Sequence, residues 1–192
     1  MSDCFDGSAL QANKDASATV AVLVRDVKAF CETAVTGLVA LRDMLDATGN
    51  RIPVTTTGFY ADAERRLAHD IACRLLSESE TLLPRFQSLA ADLLAFDRRL
   101  LIVNALIDRC VEGNSQAEQT LAQMARICKS LQAGMTRLCF TDLPNFYICI
   151  EKNVDFDGDG ARCAPQEIRR ACADMRRATS NMVDNILNVG FL

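Results

Sequence analysis

Read for its apolar and polar positions, the chain is a succession of helical stripes. Between Arg85 and Glu112 apolar residues fall at Phe86, Leu89, Leu93, Phe96, Leu100, Val103, Ile107 and Cys110, always three or four apart. That is the period of one face of an α-helix. A second set, Leu94, Leu101, Ala105 and Leu106, widens the face. A helix apolar over so much of its circumference needs neighbours on several sides, so 85–112 is expected to be the central helix of an all-α domain.

Similar stripes run on either side. Val20, Leu23, Val27, Phe30, Cys31, Ala34, Leu38, Leu41 and Leu45 predict a long helix over 16–47, which Gly49 and Pro53 close. Ala63, Leu67, Ile71, Leu75 and Leu82 predict a second helix, broken or kinked at Pro84, which lacks an amide donor and crowds the preceding turn. If Pro84 only kinks the chain, the second and central helices form one bent rod. Ser115 and Glu118 have the spacing of a capping box and open a further helix carrying Leu121, Met124, Ile127, Cys128, Leu131, Met135 and Leu138. TDLPN at 141–145 is expected to stop it. A short amphipathic segment, 145–153, follows. Pro165 then begins a last helix with Ile168, Cys172, Met175, Met182, Ile186 and Val189 on one face. The expected architecture is an antiparallel bundle of five to six helices over 16–192, behind a polar N-terminal leader, 1–15.

Composition agrees with this picture. Of 192 residues 49% are apolar, with nine glycines, four prolines and no tryptophan, which excludes a disordered chain. The net charge of −4 argues against general affinity for nucleic acid. No apolar run is long and clean enough for a transmembrane helix, and the first residues lack the pattern of a secretory signal, so the expected location is cytoplasmic. The nine cysteines form no CxxC pair. Cys31, Cys110, Cys128 and Cys172 occupy apolar helix positions and are expected to serve as small core residues. In an oxidising compartment, Cys139, Cys149, Cys163 and Cys172 could supply one or two bridges.

Only a few residues suggest chemistry. Asp155, Asp157 and Asp159 alternate, and Gly160 follows. Carboxylates at every second position of a curled loop can converge on one hard cation, and a glycine at position six permits the sharp turn. In this the 155–166 loop resembles the first half of an EF-hand. The resemblance implies calcium bound by Asp155, Asp157 and Asp159, with Glu167 as a fourth ligand. The second half departs from that pattern: Arg162 stands at position eight and Gln166 at position twelve, and Glu167 comes one residue late. The other reading is an acidic turn that caps the last helix.

His69 is the single histidine, and Cys73 lies one turn further along, so a Cys–His nucleophile pair is geometrically conceivable. Both fall opposite the Leu67, Ile71, Leu75 stripe, which favours a surface pair without a role. Arg169–Arg170 and Arg176–Arg177 are seven apart and would stack on one face of the last helix, a stripe that could meet phosphate headgroups, nucleic acid or an acidic partner helix; the favoured reading is a solvated face paired with Asp174 and Glu167. No phosphate-binding, dinucleotide-binding or metalloprotease motif occurs. The sequence therefore points to a non-enzymatic helical interaction or structural protein, a subunit or adaptor with a protein partner or a homo- or hetero-oligomeric assembly. A calcium-binding module is the alternative.

Overall fold

A computed structural model describes residues 4–53, 61–107, 115–153 and 164–188. These residues are helical almost throughout, and none of them forms a strand. Helix α1 spans Cys4–Gly49, α2 Ala61–Ile107 and α3 Ser115–Arg137. A π-helical turn, Leu138–Asp142, leads directly into α4, Leu143–Lys152, and α5 covers Pro165–Leu187. No described helix is long and apolar enough to cross a membrane.

Among the described residues four rods stand where five to six helices were expected, because two prolines do not end the helices in which they stand. Pro84 lies inside the 47-residue α2. It is exposed, and so is Glu80, four residues earlier, whose carbonyl loses its partner to the missing N–H; water can satisfy that carbonyl. The second and central helices are therefore one element. TDLPN likewise does not stop α3. The Leu143 N–H donates to the Leu138 carbonyl, an i→i−5 bond, and the widened turn accommodates the ring of Pro144 without breaking the rod. At the other end of the chain, α1 begins at Cys4, so helix covers most of the stretch read as a leader.

The stripes are mostly where periodicity places them. In α1 every residue from Val20 to Leu45 named above is buried, as are Phe86, Leu89, Leu93, Phe96 and Leu100 in α2 and the α3 set from Leu121 to Leu138. Ile168, Cys172, Met175, Met182 and Ile186 of α5 join them. The first turns of α2 differ. Ala63 and Leu67 face solvent, and Ala68, Ile71, Ala72, Leu75 and Leu76 form the buried stripe instead. Ala68 and Ala72 carry little apolar signal of their own but let the neighbouring helices approach closely.

Specific contacts fix the alignment. Arg99 pairs with Asp26, Phe96 with Phe30, and Phe86 lies beside Gly37, so α2 runs antiparallel to α1. Arg176 pairs with Asp46, Cys172 packs at Gly49, and an Arg169 Nη1 donates to the Ile52 carbonyl at 3.3 Å, so α5 runs antiparallel along the C-terminal half of α1. α5 packs closely on α1 at Gly49: a Cβ there would stand 3.2 Å from that of Cys172. At this alignment Leu187 falls short of the part of α1 that faces residues 91–105 of α2. There, among the described residues, the bundle has three helices, α1, α2 and α3.

Candidate functional site

The three-helix part exposes what the sequence led one to expect inside. Phe96 and Leu100 point into the core, and the residues on the opposite side of α2 face water. Leu94 is 51% exposed, Leu101 68% and Ile102 63%. Ala91, Ala95 and Ala105 are exposed on the same side. At 100° per residue all six fall within one sector centred on Arg98, the single charged side chain in it. Among the described side chains, residues 85–105 thus do not show the cover on several sides expected of a central helix. They bury one face and present an apolar stripe on the other, over roughly 20 Å of helix. Single exposed leucines are ordinary on a protein surface; a contiguous apolar stripe is not.

One edge of the stripe is held rigidly. An Arg99 Nη2 donates to Asp26 Oδ2 at 2.8 Å, tying α2 to α1. The guanidinium carbon of Arg99 lies 5.6 Å from the centre of the Phe96 ring, and that ring meets Phe30 edge-on at 5.8 Å. The hydrogen bond from Arg99 holds the Asp26 carboxyl below its ordinary value, assisted by the charges of Arg99 and Arg25 and opposed by partial burial. One turn from this pair on the same face of α1, Val22 is also exposed, at 41%.

Asp155, Asp157 and Asp159 lie outside the described residues. The segment that carries them is bracketed by α4 and α5, and its ends are held together where the Ala164 N–H donates to the Asn153 carbonyl at 3.1 Å. Glu167 is exposed in the first turn of α5. It lines a cleft of about 430 Å³ with Asp142, Cys149, Arg170 and Asp174, over a floor that includes Phe146 and Met175. Among the described residues no group of three histidine, cysteine, aspartate or glutamate side chains is arranged to hold a metal ion. The cleft's charges are partly answered nearby, Asp142 by Arg137 at 3.5 Å and Asp174 by Arg177 at 3.6 Å.

His69 and Cys73 do meet, both half-buried, with Cys73 Sγ 3.9 Å from each ring nitrogen. Equal distances mean that neither nitrogen is aimed at the sulfur. Burial, then the Asp70 charge, push the Cys73 thiol up from its ordinary value, away from the thiolate that a nucleophile requires. The arginines of α5 do not form one free basic stripe. Arg169 turns to Ile52, just past α1, Arg176 to Asp46 of α1, Arg170 to the cleft and Arg177 to Asp174. Of the cysteines, Cys31, Cys128, Cys139 and Cys172 are buried and unbridged, whereas Cys73 and Cys149 are half-buried and unbridged.

Comparison with known proteins gives no match: no family model, no curated protein and no solved structure is similar to the chain.

Proposed function

We propose that this chain is a non-enzymatic interaction protein, a subunit that docks through the outward face of α2. The observation that carries this reading is the apolar stripe Leu94, Leu101 and Ile102, continued by Ala91, Ala95 and Ala105, on a helix anchored from behind by Phe96 and Leu100. A rigid helix that presents apolar side chains at i, i+7 and i+8 is suited to receive another helix, because side chains at that spacing line up along one seam. Arg98 in the middle gives the seam a fixed polar point, which favours one register over others.

A photoreactive amino acid at position 101, in the full chain and in the cells that make it, tests the reading. Cross-linking of position 101 to a defined protein, whether another copy or a different chain, is the expected result. The same probe at Lys129, exposed on α3, should give none. If position 101 cross-links no better than position 129, the α2 face is an ordinary surface and the reading fails.

A further inference from the structure

The stripe on α2 is symmetric about Arg98. Three residues either side stand Ala95 and Leu101, four either side Leu94 and Ile102, seven either side Ala91 and Ala105. All six are apolar and all six are exposed. A helix face whose apolar positions are placed alike on both sides of one residue brings apolar side chains against apolar side chains under a two-fold axis at that residue, as an isologous dimer needs. From this we infer, resting on the docking face proposed above, that its occupant is a second copy of this chain, packed antiparallel, α2 against α2, about a two-fold axis at Arg98.

The chemistry of the pairing follows from the positions. On one edge of the seam Leu94 packs against Leu101 of the second copy, and Leu101 against its Leu94. On the other edge Ile102 packs against Ala95, a large residue into the space left by a small one, while Ala91 meets Ala105 at each end. The small side chains let the two backbones approach. The two Arg98 guanidinium groups come together at the axis, and this alone would oppose association. Asp97 is exposed one residue away, however, so each Arg98 meets the Asp97 carboxylate of the second copy and the central charges balance. Among the described residues Arg98 forms no ion pair within its own chain. The three-helix part of the bundle, which α5 does not reach, gains its missing neighbour in this way. A single helix seam of roughly 20 Å is short, so the dimer is expected to dissociate on dilution.

Sedimentation of the purified, reduced full chain across the micromolar range tests the inference. The expected result is a concentration-dependent species of twice the 21.0 kDa chain mass. It should be lost in a Leu94→Glu, Leu101→Glu double variant that keeps the same helical circular dichroism. In an Arg98→Cys variant, mild oxidation by a disulfide reagent should join the two introduced thiols at the axis, one disulfide forming as the reagent is reduced to two thiols. The dimer should then survive dilution, and the unaltered chain treated alike should show no such band. A monomer at every concentration, a dimer that persists in the double glutamate variant, or no disulfide-linked dimer of the Arg98→Cys variant each overturns the inference. A monomer whose position 101 still cross-links to a different protein in cells overturns the second copy and leaves the docking face standing. Absence of both removes the two together.

Discussion

Gly37 and Gly134 are both interior helix glycines, and their surroundings make substitutions at them unequal. A Cβ at Gly37 would stand 3.6 Å from the nearest ring carbon of Phe86, an ordinary contact. Gly37→Ala should therefore gain the helix propensity that glycine forgoes, about 1 kcal/mol, and raise the midpoint of urea unfolding. A Cβ at Gly134 would collide with the sulfur of Met182, which is itself buried. The same propensity gain is then set against displacing the thioether end of Met182, so Gly134→Ala should raise the midpoint less than Gly37→Ala, or lower it. Equal shifts in the two variants would mean that Met182 moves aside freely and that the α3–α5 contact is loosely packed. Neither glycine could be told from the other in the sequence, since the difference lies in what the opposite helix places there.

Pro84 makes the corresponding point for a whole element. It was expected to separate two helices, and α2 passes through it. The cost of an interior proline is local, about 3 kcal/mol, whereas buried stripes lie on both sides of it and favour one continuous rod. Pro84→Ala restores the N–H that the Glu80 carbonyl lacks, at a position where the side chain touches solvent. It should stabilise the fold by about 1–3 kcal/mol, read from urea unfolding. A loss of stability instead would mean that packing along α2 depends on a bend at Pro84. Periodicity made the buried faces of α1, α3 and α5 legible, because three-and-four spacing reports directly on a helix face. It also detected Leu94, Leu101 and Ala105 but assigned them to the interior, since spacing shows that a face is apolar without showing what covers it. Ile102 was missed because it belongs to neither apolar set, yet the symmetry about Arg98 was present in the sequence. Asp155, Asp157 and Asp159 were equally legible as a motif, and a titration of calcium is what would give them a role.

At the scale of the molecule the cysteines set a limit on the pH range of the fold. Burial pushes Cys31, Cys128 and Cys139 up to about 11 and Cys172 to about 12, from an ordinary value of 9.0. Tyr147 is raised as well, chiefly by burial, to about 12. A thiol whose pKa is higher in the folded chain than in the unfolded one favours the fold fully at pH below 9, where it is protonated in both states. As pH rises past 9 the unfolded chain ionises first, and that contribution is lost until the folded value is reached. Each such thiol costs about 1.4 kcal/mol per pH unit over its window, so four together remove on the order of 5 kcal/mol between about pH 9.5 and 10.5. A domain of ordinary stability, about 5–15 kcal/mol, is then at or near its limit. Circular dichroism of the reduced chain should therefore show constant stability to urea from about pH 7 to 8.5 and a steep fall above about pH 9, with cooperative loss of helix by about pH 11. Cys172→Ala should soften the fall by roughly one thiol's share, about 1.4 kcal/mol per pH unit, although its neutral-pH stability will be lower for the lost packing. A stability that stays level through about pH 10.5 in the unaltered chain would mean that water reaches these sulfurs and that the core between α1, α3 and α5 is not closed.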